Sequence, residues 1–507
     1  MDLVFWKVMK VTRLCKGPAS NQRYRFLIIG CLLVGSILFN VPHSIELSST
    51  TLSQITATVP SFPSTDNKEN LANTINQDTK FILYYTKYWN QPDFQFGTGR
   101  QPFLDNQCPV HNCWIHSATE QQLSPPRNYS EFDAVLFSVQ AQDQFQVNES
   151  KTDIQSWRTP SQRFVFFMME SQAYSIHHLR EMNGFFNWTM TFRWDSDIPR
   201  PYGWFEELSK PSSSSPSSFY PHLPNQWIPY DEQRFRKSLS TRPKQFLDLA
   251  RRPGKVAWIV SHCDTSSRRE DYVYQLRKYI PVDEFGGKCR RFDSPTCDQP
   301  YSIQASSLDN CTRHVQQHYK FYLALENQFC NDYVTEKFFQ RMEHSVVITL
   351  GQANYSQLAP PHSSISVFDF DTAQDLAKYL HELDQDDASY LSYFWWQDYY
   401  RVRHSRLSPN EIPSSTTTPG TTPPNGFGRS MCHLCDKLHD PKEPPKTYDN
   451  LYQWWRQSAE CGKRLHSLKV RMWQDPGLPG LRTVRNGKGW ERVSQGFAQT
   501  VSTNPGP

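Results

Sequence analysis

The sequence predicts two α/β domains built on parallel sheets, and three observations support this. Short apolar runs recur in both halves: Phe81 to Tyr85, Phe132 to Phe137 and Phe164 to Met169, then Val256 to Val260, Phe321 to Leu325, Val346 to Leu350 and Val367 to Phe370. Runs of that length, rich in branched and aromatic residues, suit strands buried on both faces. The stretches between them are long enough for helices, and strand alternating with helix reads as a parallel sheet. Finally, the Ser-rich stretch from Ser209 to Phe219 leads into a boundary region before about residue 250, and 507 residues leave room for two cores.

Residues 1–25 carry Lys7, Lys10, Arg13, Lys16, Arg23 and Arg25 against one acid, Asp2, and read as a cytosolic tail. The uncharged run from Phe26 to Phe39 follows, giving a transmembrane signal anchor over 26–41. It is short for a bilayer, but the basic lead is long and no small-x-small cleavage site follows, which disfavours a signal peptide. The charge bias makes this a single-pass type II topology with the remainder lumenal, and the short span suits thin early-secretory membranes. Residues 42–78 read as a flexible stem, 79–235 as the first α/β domain and 240–400 as the second. Helical patterns run from Arg269 to Ile280 and from Asp371 to Leu383. The latter opens on a Thr372–Asp375 capping pair, with Leu376, Tyr379, Leu380 and Leu383 on one face. Residues 401–475 form a C-terminal segment with a Thr- and Pro-rich insert at 411–424, and 476–507 read as a disordered tail.

A net charge of +4 gives no case for nucleic-acid binding, and no repeat is visible. Of twelve cysteines, Cys15 falls in the tail and Cys31 in the span; the ten others lie in an oxidising compartment where disulfides are expected. Five sequons, at Asn128, Asn148, Asn187, Asn310 and Asn354, are N-glycosylation candidates.

The stretch Phe321 to Gln340 (FYLALENQFCNDYVTEKFFQ) carries the chemistry. A strand ends at Glu326-Asn327, a polar loop follows, and a helix starts near Tyr333 with Asp332 or Thr335 as its cap and Phe338, Phe339 and Met342 on one face. A helix N-terminus beyond a strand end favours anions. Lys337 adds a full charge there, and Glu336 can accept from sugar hydroxyls. Read alone, this is a site for a nucleotide diphosphate sugar or a plain helix start bearing a Glu-Lys pair. Glu170 follows the strand VFFMM, where ligands of open parallel sheets bind. There it is either a general base with raised proton affinity or an acid facing water. Asp195 and Asp197 form a D-x-D pattern that could chelate a cation with phosphate, and Asp369 and Asp371 form another. Arg268 and Arg269 are adjacent, and each offers a planar fork of donors. Cys432 and Cys435 could be half a zinc site, a redox pair or disulfide partners. Trp188, Trp194, Tyr202 and Trp204 could stack on sugar, but buried aromatics usually fill cores; one or two at most should touch substrate.

The ordered set VFFMMES, DSDIPRPYG, SHC…RRE, FYLALENQF…DYVTEK and LSYFWW resembles the α1,3/4-fucosyltransferases of glycosyltransferase family 10, over about Phe81 to Trp396. The C-x-x-C end and the element CPVHNC resemble invertebrate and plant members that fucosylate the core GlcNAc of N-glycans. The resemblance implies a GT-B architecture, two Rossmann-like domains facing across a cleft, behind a single N-terminal transmembrane helix in the Golgi membrane. It implies GDP-fucose as donor and a glycoprotein N-glycan as acceptor, with Lewis-type modification of N-acetyllactosamine antennae as the alternative and a non-catalytic glycan-binding protein as a distant one. Glu170 would be the base, and Arg269, Asn327, Tyr333, Glu336 and Lys337 would hold the donor. No cofactor or metal is obligatory, a stimulatory divalent cation staying open, and the DSD stretch becomes structural or acceptor-side. Cys432 and Cys435 would bridge Cys108 and Cys113, while Cys263, Cys289, Cys297, Cys311, Cys330 and Cys461 stay unassigned.

Overall fold

Runs that are apolar on both faces need cover on both, and that requirement shapes the unit Gln77–Pro507. The computed structural model describes residues 77–118, 127–140, 154–175, 179–208, 219–286, 310–404, 426–462, 482–486 and 489–493. The expected tail, anchor and nearly all of the stem, together with Asn148, Cys289, Cys297 and the 411–424 insert, lie outside these. Among the described residues no helix is long and apolar enough to cross a membrane.

Strands β1 (Lys80–Tyr84), β2 (Cys113–Ser117), β3 (Ala134–Ser138), β4 (Arg163–Met168), β5 (Trp188–Thr191) and β6 (Ile198–Pro199) form a parallel sheet in the order β2-β1-β3-β4-β5-β6. β7 (Gly203–Glu207) then leaves that sheet. Strands β8 (Val256–Ile259), β9 (Val282–Phe285), β10 (Phe321–Leu325), β11 (Val346–Leu350) and β12 (Ser364–Ser366) form a second parallel sheet, ordered β12-β11-β10-β8-β9. The central strands β3, β10 and β11 are buried at every residue. The expected α/β class with parallel sheets is therefore the class observed.

Helix α1 (Arg269–Leu276) is shorter than the pattern to Ile280 suggested, and α2 (Glu336–Phe339) is a single turn. In α3 (Ala373–Gln385) Thr372 and Asp375 form the expected capping box, burying Leu376, Leu380 and Leu383. Val367–Asp369 is a 3-10 turn rather than a strand, because Ser366 accepts a hydrogen bond from the Phe368 amide and curls the chain. Within the tail expected to be disordered, Arg482–Asn486 pairs antiparallel with Gly489–Val493.

The C-terminal segment returns to the first sheet. β13 (Tyr400–His404) pairs antiparallel with β7, and α4 (Gly426–His439) lies against β6 and β1. Its cysteines form Cys108–Cys432 and Cys113–Cys435, the partners the resemblance implied. Each closes more than 300 residues, so the restriction on the unfolded chain is large. A zinc half-site is excluded there, since in the cluster of Cys113, Cys435 and His439 both sulfurs are spent in a disulfide. A third bridge joins Cys330 to Cys461, and Cys263 is also disulfide-bonded. Asn128 and Asn354 are exposed, as a sequon in use must be. Asn187 is the exception: it is buried, its Oδ1 accepts from the Phe164 amide and Arg158, and its Nδ2 donates to the Lys446 carbonyl. That carboxamide is a structural clip with no room for a glycan.

His116, His344, His362 and His433 are held neutral chiefly by burial, each pushed down to about 4. His362, for instance, is stacked between Tyr230 and Tyr393 at 4.4 and 4.2 Å. The unfolded chain binds these protons near pH 6.5 and the folded chain does not, so their contribution is complete above about 6.5 and declines toward pH 4. The expected outcome is a urea-unfolding free energy lower at pH 5 than at pH 7.5; equal values would contradict it.

Candidate active site

β10 ends by burying a carboxylate. Glu326 is fully inaccessible, and its oxygens accept from the Thr335 amide at 2.8 Å and the Thr335 hydroxyl at 3.0 Å, with Lys337 Nζ 3.4 Å away. Burial pushes the Glu326 acid upward and Lys337 opposes it. For Lys337, burial disfavours the ammonium, but Glu326 and Glu336 outweigh it and raise its proton affinity. Lys337 also donates to Thr335 Oγ1 at 2.7 Å and lies 3.3 Å from Glu336. The helix expected near Tyr333 begins only at Glu336 and runs a single turn. Thr335 sits at the N-cap, but its side chain serves Glu326 instead of the helix, and Asp332 is left-handed at φ 61°. One helical turn carries little dipole, so the positive character comes from side chains.

The two arginines differ in surroundings. Arg268 adopts φ 55° and pairs with Asp271 at 2.5 Å on its own helix. Arg269 is buried and donates to the Leu325 carbonyl at 2.6 Å and the His262 carbonyl at 2.8 Å, tying the ends of β10 and β8 together. Beside it, the Asn327 carbonyl accepts from the Ser267 amide at 3.2 Å.

From the first sheet, β4 delivers Glu170. Burial pushes its acid upward, Lys337 pulls it back, and Tyr333 donates to its Oε2 at 3.0 Å. Tyr333, expected among the donor-binding residues, here reaches across to the acid of the first sheet. Its fully buried ring lies 4.9 Å from Phe192 and 6.5 Å from Tyr202, and its hydroxyl is committed to Glu170. Tyr202 in turn donates to the Met169 carbonyl at 2.8 Å. Tyr174 Oη meets His262 Nε2 at 3.0 Å from the opposite sheet. Close approach also fixes Gly203, where a Cβ would lie 2.3 Å from the Phe339 ring of α2.

The structure thus gathers Glu170, Arg269, Asn327, Glu336 and Lys337 at the carboxyl ends of β4, β8 and β10. Tyr174, Tyr202 and Thr335 join them; only the proximity of Tyr174 to Glu170 in sequence hinted at its place. The D-x-D acids are not there. Asp195 takes both arms of Arg193, at 2.8 and 2.6 Å, and Asp197 accepts from Thr189, Tyr448 and Lys446. Each has its own cation. Asp369 and Asp371 are exposed. Trp188 and Trp204 are core residues.

Two parallel sheets bring an acid and two cations together at their strand ends, and comparison with known proteins identifies the class as glycosyltransferase. The family model described as "Fucosyltransferase, N-terminal" matches residues 77–203, and "Glycosyltransferase family 10 (fucosyltransferase) C-term" matches 249–454. The chain belongs to glycosyltransferase family 10, the α1,3/4-fucosyltransferases. It is 30% identical over 400 residues to alpha-(1,3)-fucosyltransferase C of Drosophila melanogaster, covering 77% of this chain and 80% of that protein. It is 34% identical over 310 residues to 3-galactosyl-N-acetylglucosaminide 4-alpha-L-fucosyltransferase FUT3 of Bos taurus, 60% of this chain and 70% of that one. A solved α1,3-fucosyltransferase with GDP-fucose matches at TM-score 0.38 and 16% identity, over 73% of this chain and 92% of the other.

Lys337→Met should strand Glu326 as a buried, uncompensated carboxylate and lower stability by about 3–5 kcal/mol. Glu326→Gln in the same chain should recover part of that loss. Additive effects in a denaturant double-mutant cycle would show that the two groups are not coupled.

Proposed function

We propose that the enzyme transfers L-fucose from GDP-fucose, with inversion, in α1,3 linkage to GlcNAc of glycoprotein N-glycans, the core GlcNAc being preferred. The observation that carries this reading is the opposition of Glu170 on one sheet to Arg269 and Lys337 on the other, linked by the Tyr333 hydroxyl. In the proposed step the acceptor hydroxyl oxygen bonds to the anomeric carbon as the carbon–oxygen bond to GDP breaks. Glu170 takes the hydroxyl proton, and Arg269 and Lys337 offset charge growing on the departing phosphate. Asn327 and Glu336 orient phosphate and sugar hydroxyls, while Tyr333 holds the base. Negative charge beside the anomeric carbon favours its cationic character. The proposal needs no obligatory metal, because side-chain cations meet the diphosphate. Full turnover in EDTA is expected, and loss of turnover there would refute that part.

The core preference rests on the C-x-x-C and CPVHNC elements. The similarity to FUT5 of Hylobates lar, named a 4-galactosyl-N-acetylglucosaminide 3-alpha-L-fucosyltransferase, supports the antennary alternative. A panel of defined core and antennary glycans with linkage analysis separates the two. The basic lead and apolar run over 1–41 support anchoring as a type II Golgi membrane protein with the catalytic part lumenal.

Glu170→Gln should lower kcat by about a hundred- to ten-thousandfold, the range for a lost general base; an unchanged rate would remove Glu170 from its role. Because burial raises the Glu170 acid, turnover should fall as pH drops through that raised value. The Tyr333 hydrogen bond favours the carboxylate. Tyr333→Phe should therefore move the acid limb of kcat/KM to higher pH, and a shift to lower pH would contradict the coupling.

A further inference from the structure

The segment after α4 crosses between the two sheets, and its end lands on the loop that joins β10 to α2. Tyr448 exchanges backbone hydrogen bonds with Gly184 and Phe186 at 2.9 Å each, and Trp455 is buried between Phe166 and Phe192. To that point the segment belongs to the first sheet. Only four residues on, the Ala459 carbonyl accepts from the Asn331 amide at 2.9 Å, the Glu460 carbonyl accepts from Gln352 Nε2 at 2.7 Å, and the Gly462 amide donates to the Phe329 carbonyl at 2.6 Å. The Cys330–Cys461 disulfide closes the junction. The strap also touches the loop behind Glu170: Arg456 donates to Ser175 Oγ at 3.3 Å, and the Cys461 sulfur packs 3.1 Å from Gln172 Oε1.

Cys330 lies between Asn327 on one arm of the loop and Tyr333 to Lys337 on the other. A covalent pin at its middle restricts both arms, and the pin's far end is seated through Trp455 on the sheet that carries Glu170. We infer that the strap 454–462, pinned by Cys330–Cys461, positions the β10–α2 loop against Glu170 and preorganises it for a nucleoside diphosphate. Cys330, Cys461 and Gln352 act as positioning residues that touch no substrate. Ordering the loop before binding removes an entropic cost that a free loop would bear on each encounter. Only the nucleotide arm of the test rests on the function proposed above.

The test uses the full chain, wild type and Cys330→Ala/Cys461→Ala, with hydrogen exchange by mass spectrometry and GDP titration by calorimetry. The expected result is faster exchange in both 326–337 and 170–175, with GDP affinity reduced about fivefold, the effect of unfreezing one or two side chains. Faster exchange confined to 458–462, with both loops unchanged, would overturn the inference. If both loops loosen while the wild type binds no GDP, positioning stands and the nucleotide reading falls. Should the double variant fail to fold, Gln352→Leu keeps the disulfide and is read by the same exchange criterion: both loops faster supports the inference, neither loop changed overturns it.

Discussion

A carboxylate with no access to water is costly unless its charge is met, and Glu326 meets this demand by drawing in whatever lies within reach. Its oxygens capture the amide and hydroxyl of Thr335 and bring Lys337 alongside. Those contacts close the β10–α2 loop on itself and turn Tyr333 toward the other sheet. Loop shape, lysine placement and the reach of Tyr333 thus follow from one buried charge.

The Tyr333 hydrogen bond then makes the two sheets interdependent. A phenol that donates to Glu170 while its ring packs on Phe192 belongs to the second sheet by sequence and to the first by contact. Arg269 works similarly on a smaller scale, since its guanidinium spends two donors on strand-end carbonyls. It stiffens the floor of the site, and what charge it offers a ligand comes from a group already fixed in place, as preorganised electrostatic stabilisation requires.

What could be read in advance was what depends on local patterns. The strands from Phe321 and Val346 began and ended where their apolar runs did, and the Thr372–Asp375 box formed because both partners lie within one turn. Glu170 and Lys337 were legible from their place after strand ends. Nonlocal demands were not. Nothing near Thr335 reveals that its hydroxyl answers to Glu326, nine residues earlier, and the helix expected near Tyr333 begins only at Glu336. Asn187 carries a valid sequon, yet its carboxamide is consumed by Phe164 and by Lys446, the latter 259 residues away. The D-x-D acids likewise answer to Arg193 and Lys446 rather than to a cation from solution.

The charges at the strand ends bear on how a donor could enter. Glu170, Glu326 and Glu336 face Arg269 and Lys337, so the cations are not idle in the absence of ligand. Lys337 cannot leave Glu326 without exposing a buried carboxylate, whereas Glu336 sits at the loop's edge with water partly available. On the proposed reading, a diphosphate therefore competes with Glu336 and not with Glu326. Glu336 becomes the acid that yields, its carboxylate accepting from a sugar hydroxyl brought in by the same ligand. A Glu-Lys pair that looks like an ordinary helix start would then be a contact exchanged on binding, with Glu326 holding the lysine in place throughout.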